Sequence, residues 1–234
     1  MTDELFREDA YLKQCSAQVV RAAHEGIFVD RTVFYPMGGG QPGDTGMLVR
    51  HDGSEIPIVD TRKDPVSGDI MHVPAPGDAR PQAGEVVTLH IDWDRRYRLM
   101  RMHSCMHMLC AVIPAPVTGG SISDGRGRLD FDLPETLDRE QVTAELNRLI
   151  ESGRPMHTRW ITDAELDAQP ELVRTMSVQP PRGAGHVRLV EFEGIDLQPC
   201  GGTHVANSAE IGRVRVAKIE KKGRQNRRVS IVFD

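Results

Sequence analysis

The 234-residue chain has room for one large domain or two modest ones, and 39% hydrophobic with 27% charged residues is the composition of a soluble globular fold. No apolar run approaches the ~20 residues that a bilayer-spanning helix needs, and a net charge of −5 argues against a protein that coats itself in nucleic acid. The opening MTDELFREDA is acidic and polar, so neither a signal peptide nor a membrane anchor is expected, and the cytoplasm is the expected location. Cys15, Cys105, Cys110 and Cys200 are few and irregularly spaced, as reduced thiols are, although a metal role for one or two of them stays open.

Residues 18–91 read as strands and turns. AQVVRAAHEGIFVDRTVFYP holds two β-rich runs around His24-Glu25-Gly26, and GMLVRHDGSEIPIVD repeats the pattern around Asp52-Gly53, a dipeptide suited to positive φ. EVVTLHID closes the series, and a small β-barrel or sandwich ending near Asp92 is the economical reading. The texture then changes. DRRYRLMRMHSCMHMLCAVI is unbroken by Gly or Pro and reads as a helix, capped by Asp92 or Asp94 and ended by Pro114 and Pro116. RLDFDL reads as a strand, DREQVTAELNRLIESG as a second helix stopping at Gly153, and MHTRWIT, HVRLVEFEG, RVRVAKIE and RVSIVFD as further strands. The expectation is a barrel over residues 1–92 followed by an α+β domain over residues 93–234, with no internal repeat.

Within the long helix, HSCMH sets His103 and His107 four residues apart, so both imidazoles project from one face. About ninety residues later, CGGTH sets Cys200 and His204 four apart around two glycines, which permit a tight turn that aims both side chains at one point. Each motif alone is a weak signal. Together they make a set of one sulfur and three nitrogens of the kind zinc favours. Ser104 follows the first histidine where a zincin protease needs a glutamate base, so that enzyme class is excluded.

HSCMH paired with CGGTH resembles the editing domain of alanyl-tRNA synthetase and its free-standing relatives, the alanyl-tRNA editing proteins. A related domain occurs in threonyl-tRNA synthetase. VFYPMGGGQPGDTG (33–46) resembles the glycine-rich signature of that family's N-terminal barrel. VTGGSISDGRGRLDFDL and HVRLVEFEGIDLQPCGGTHV resemble the segments around its editing pocket, and KKGRQNRRVSIVFD has the family's look as well. The resemblance runs from about residue 6 to the end and leaves no room for an ATP-dependent aminoacylation domain. Ser104-Cys105 stands where the family often has Thr-Ala.

The resemblance implies the medium-length, stand-alone form: a zinc-dependent hydrolase of the ester joining a wrong amino acid, serine or glycine, to the 3′ end of alanine tRNA. It implies Zn2+ held by His103, His107, Cys200 and His204, and a mischarged alanine tRNA engaged at its acceptor stem and 3′ end. The need for such a site is physical, because a pocket that admits alanine rejects an added hydroxyl by only ~10², whereas a site that hydrogen-bonds the hydroxyl can discriminate far more strongly. Thr118 maps to the hydroxyl reader, the alternative being a plain turn residue before Gly119-Gly120. Gly39, Gly40 and Gln41 map to the editing pocket or the tRNA end, the alternative being a barrel corner. Four protein ligands fill a tetrahedral shell, so metal-activated water and a water positioned by pocket dipoles both stay open. No residue has a clear claim as general base, with Asp130, Asp196 and His186 candidates by type only.

Eight basic residues between Arg213 and Arg228 face the single acid Glu220, a local charge of +7 on a remainder of −12. Within this stretch Lys221, Lys222, Arg224, Arg227 and Arg228 are the candidate tRNA contacts, the alternative being a solvated hairpin. With 5% aromatic residues, contacts are expected mainly to phosphate and sugar. His24, His51, His72, His90 and His157 have no partner at ligand spacing and read as surface or satisfied core residues; Trp93 is expected at the domain junction and Trp160 in the core. A non-catalytic, zinc-stabilised tRNA- or synthetase-binding module is the rival reading, and an editor of Ser-tRNA(Thr) a third.

Overall fold

The computed structural model describes residues 2–77, 80–174, 176 and 185–234. By internal contacts the chain divides into two compact units, Met1–Tyr97 and Arg98–Asp234. No helix among the described residues is long and apolar enough to cross a membrane.

In the first unit, β1 (Asp3–Glu4) pairs in parallel with β4 (Arg31–Thr32). Strands β2 (Gln14–Ala22), β3 (Ile27–Val29), β5 (Gly46–Arg50), β6 (Glu55–Lys63), β7 (Ile70–Pro74) and β8 (Val86–Ile91) close a barrel in the order β2-β3-β7-β6-β5-β8. Of the two all-β readings, the barrel is therefore the correct one. Alternation explains its core: Val87, Leu89 and Ile91 of β8 point inward, joined by Leu48, Ile56 and Ile58. The glycine-rich segment 33–46 has a structural role here. A Cβ on Gly46 would overlap the His90 carbonyl oxygen and lie 2.9 Å from the Phe34 ring, so only glycine fits. Two residues earlier, the Asp44 carboxylate accepts the Tyr35 N–H at 2.6 Å and Arg96 Nε at 2.9 and 3.0 Å. Arg96 also donates to the carbonyls of Val33 (2.6 Å) and Ala10 (3.0 Å), and both charged side chains are buried.

Helix α1 (Trp93–Val112) starts at Asp92, whose carboxylate accepts the Arg95 N–H at 3.1 Å and so acts as its cap. Its middle is buried on nearly every side, which is why an amphipathic stripe is missing from its sequence. In the second unit, β9 (Val117–Ser123), β10 (Arg126–Asp132), β14 (Val214–Lys221) and β15 (Asn226–Phe233) form an antiparallel sheet in the order β14-β15-β10-β9. Helix α2 (Arg139–Glu151), capped by Asp138, lays Val142, Leu146 and Ile150 inward. Its Asn147 bonds both the N–H and the C=O of Val214, at 3.0 and 2.8 Å, and its Thr143 hydroxyl accepts the Val216 N–H.

A second antiparallel sheet of three strands has the order β11 (Met156–Thr162), β12 (His186–Phe192), β13 (Asp196–Pro199). Short helix α3 (Asp163–Asp167), opened by a Thr162–Glu165 capping box, packs with Ile161, Val187 and Leu189 on one face of this sheet. Trp160 is on the other face and 53% exposed, which corrects its expected place in the core; Ile161, its chain neighbour, is the residue buried there. Trp93 packs against the barrel core and stacks on Tyr97. The α+β architecture with an N-terminal barrel is thus the observed one.

Candidate metal centre

His103 and His107 project from one face of α1, and the turn after β13 brings Cys200 and His204 to them; the four donor atoms all lie within 4.8 Å of one another. Donors 2.0–2.3 Å from one tetrahedral cation are separated by about 3.3–3.8 Å. Cys200 Sγ lies 3.5 Å from His103 Nε2 and 3.3 Å from His204 Nε2, so the sulfur and two nitrogens already have that spacing. The residues fit a metal ion.

Neighbouring groups fix the rings in the ligand orientation. The Asp196 carboxylate, completely buried, accepts His107 Nδ1–H at 2.8 Å and the Gln198 side-chain amide at 2.9 Å. Ser104 Oγ lies 3.3 Å from His204 Nδ1 and accepts the Val205 N–H at 3.2 Å. Both rings therefore turn Nε2 toward the common point, the arrangement in which an outer partner sets tautomer and basicity. The CGG turn is held by buried Arg188 of β12, which donates to the carbonyls of Cys200 (3.1 Å) and Gly202 (3.0 Å), while the Cys200 N–H returns to the Arg188 carbonyl. The Gly202 N–H points at the sulfur from 3.4 Å.

The electrostatics match. Burial pushes the Cys200 thiol up, but the imidazoles of His103 and His204 outweigh it and hold the thiol well below its usual range. Burial holds His204 well below the usual histidine range, in the neutral form that can bind a metal. Burial also disfavours charge on His107, yet Asp196 and Cys200 raise it to about 9, so a cation entering here displaces a proton. Cys105 and Cys110 are different: burial pushes each thiol up to about 12, and neither belongs to the cluster.

The other expected site residues fall elsewhere. Thr118 occupies the irregular step in the β9–β10 pairing; its hydroxyl donates to the Asp130 carbonyl and accepts from Asn226 Nδ2 at 2.9 Å. Gly39 and Gly40, with φ of 55° and 82°, are the central residues of a tight turn closed by paired Gly38–Gln41 backbone bonds. Gln41 is completely buried in the barrel unit. Lys221, Lys222 and Arg224 are exposed on the β14–β15 hairpin. Arg227 is not: it is buried, its guanidinium donating to the carbonyls of Glu135, Gly223, Asn226 and Pro134, a role in the fold rather than at a ligand surface. Arg228 makes a two-pronged pair with Asp130 at 2.7 and 2.8 Å.

The base candidates fare alike. Arg228 and Arg128 hold Asp130 below the usual carboxylate range, Asp196 is bonded to His107, and His186 is exposed at the start of β12. Sequence reading missed Arg188, although a lone arginine inside the apolar run Val187–Val190 was a usable signal.

Known proteins give the same picture. The family model described as the threonyl and alanyl tRNA synthetase second additional domain matches residues 187–230, and that of class II (A) tRNA synthetases matches residues 7–95. An alanyl-tRNA editing protein AlaX-M of Methanosarcina acetivorans is 37% identical over 98% of both chains, and that of Saccharolobus solfataricus 34% identical over 98% of both. The alanine–tRNA ligase of Pyrobaculum aerophilum is 35% identical over 94% of this chain but only 25% of the ligase. Matched from end to end at such identity, the chain belongs to the family of AlaX-M alanyl-tRNA editing proteins.

Proposed function

We propose that this protein is a trans-editing aminoacyl-tRNA deacylase that hydrolyses the ester of Ser-tRNA(Ala), with Gly-tRNA(Ala) as a second substrate. One observation carries the reading: two segments about ninety residues apart bring a thiol and three imidazoles, two of them oriented by outer partners, to one point in a chain full-length similar to AlaX-M proteins. A soft sulfur with three imidazole nitrogens favours Zn2+ as the resident ion, held by His103, His107, Cys200 and His204. Bound there, zinc would supply a fixed positive charge beside the aminoacyl ester. The chain's own groups do the rest: Asp196 and Ser104 orient His107 and His204, and Arg188 holds the CGG turn rigid.

Thr118 supports the serine preference in this reading. A hydroxyl has one donor and two acceptor positions; Asp130 takes the donor and Asn226 one acceptor, leaving one lone pair for the hydroxyl of a seryl group. Alanine has nothing to offer there. Division into a barrel of residues 1–92 and an editing domain of residues 93–234 belongs to the same proposal. So do substrate contacts by Gly39 and Gly40 and phosphate contacts by Lys221, Lys222 and Arg224.

The four donors also complete a tetrahedral shell, which favours a second reading, a non-catalytic tRNA-binding module with a structural metal. A deacylation panel separates them: Ser-, Gly- and Ala-tRNA(Ala) and Ser-tRNA(Thr), with metal analysis of the same sample and of a Cys200→Ala variant. Hydrolysis of Ser-tRNA(Ala) with Ala-tRNA(Ala) spared, and lost in a folded Cys200→Ala protein, is the expected result. No hydrolysis of any mischarged tRNA by metal-loaded wild type leaves the module.

A further inference from the structure

Trp160 is the only exposed Phe, Tyr or Trp side chain among the described residues, and the sheet register fixes where it stands. Met156, Thr158 and Trp160 of edge strand β11 lie opposite Phe192, Val190 and Arg188 of β12. Directly opposed residues share a face. This face supports the metal cluster: Phe192 lies 6.0 Å from the His107 ring and 6.2 Å from the His204 ring, Asp196 and Gln198 are on β13 beyond it, and Arg188 grips the carbonyls of Cys200 and Gly202. Trp160 therefore stands one strand spacing, about 5 Å between backbones, from the residue that holds the CGG turn. Its neighbour on the face, Thr158, is exposed and uncharged, and among the described residues no strand lies beyond β11 in this sheet.

We propose that the indole of Trp160 is a stacking platform for an unpaired base at the 3′ end of the tRNA, which positions the aminoacyl ester over the cluster. The inference rests on the deacylase reading, because the chemistry follows from the ester. An ester on the terminal ribose has a nucleobase attached to that same sugar, and the 3′ end is single-stranded, so its base faces are open. A flat apolar ring beside the ester site is the surface such bases take, without need for hydrogen-bond readout. The low aromatic content of the chain makes this one ring the exception to recognition by phosphate and sugar.

The test uses the full-length protein, its Trp160→Ala and Trp160→Phe variants, and two readouts. In steady-state hydrolysis of Ser-tRNA(Ala), Trp160→Ala is expected to raise KM by roughly 5- to 150-fold with kcat little changed, as loss of one stacked base does, and Trp160→Phe to recover most of it. In a fluorescence titration with uncharged tRNA(Ala), wild-type emission is expected to fall on binding, and that quenching to vanish in Trp160→Phe, where Trp93 alone emits, while affinity is retained. An unchanged KM in a folded Trp160→Ala protein overturns the proposal. So does wild-type emission that does not respond to saturating tRNA, or that follows protein concentration instead, which would assign the patch to a second copy of the chain. Because the titration needs no hydrolysis, it gives its answer even if the deacylase reading fails.

Discussion

Replacing Asp196 by Asn tests whether the cluster is a metal site tuned from outside. The substitution keeps size and shape but removes the buried charge that accepts His107 Nδ1–H at 2.8 Å. A hydrogen bond to a charged acceptor contributes about 1.5–3 kcal/mol against about 1 for a neutral one, so the interaction orienting His107 weakens by about 0.5–2 kcal/mol. The new amide also sets a donor near Arg174, whose Nε is 3.8 Å from Asp196 Oδ1, where an acceptor is wanted. Loss of an outer partner of this type lowers metal affinity about 10- to 100-fold. Zinc affinity of Asp196→Asn, measured by competition with a chromophoric chelator, should fall into that range with stoichiometry still one per chain. Wild-type affinity in a folded Asp196→Asn protein, or no metal bound by either, would refute the reasoning.

Three further outcomes follow from the two units. Arg96→Met leaves the Asp44 carboxylate buried and uncompensated and should destabilise the barrel by about 3–5 kcal/mol in urea unfolding, whereas a loss under 1 would mean water reaches the pair. His72 is fully buried, its Nδ1 donating to the Ile27 carbonyl and its Nε2 accepting from Thr32, and burial pushes it down to about 4. The unfolded state binds this proton first, so stability is complete above pH 6.5 and drops by about 3 kcal/mol as pH falls to about 4; His72→Gln should flatten that part of the pH–stability curve. On the hairpin, combined Lys221→Ala, Lys222→Ala and Arg224→Ala should reduce the log–log salt slope of tRNA binding by about 1 to 3, while Arg227→Ala should lower the melting temperature and leave the slope alone.

Local patterns carried much of this structure. β-rich runs and turn dipeptides marked the barrel strands, spacing marked both halves of the metal cluster, and Asp92 announced the first helix. Partners distant in sequence were hidden: nothing in GDTG says that its aspartate will meet an arginine fifty-two residues on, or that Arg188 will reach the CGG turn. Period two divides a strand into faces without saying which one meets solvent, and that is how Trp160 was misplaced while its neighbour Ile161 took the core. Arg227 was legible in principle. It shares the phase of Val229 and Ile231, both buried, so alternation put it inside even as its charge drew it into the basic stretch.

The hold of α2 on β14 has a consequence for life in a crowded solution. With the outward backbone groups of Val214 and the amide of Val216 already engaged by Asn147 and Thr143, an extended segment arriving from another molecule finds those rungs taken. At that end of the flank the sheet has been closed by side chains, and fibre-like growth cannot begin on those rungs.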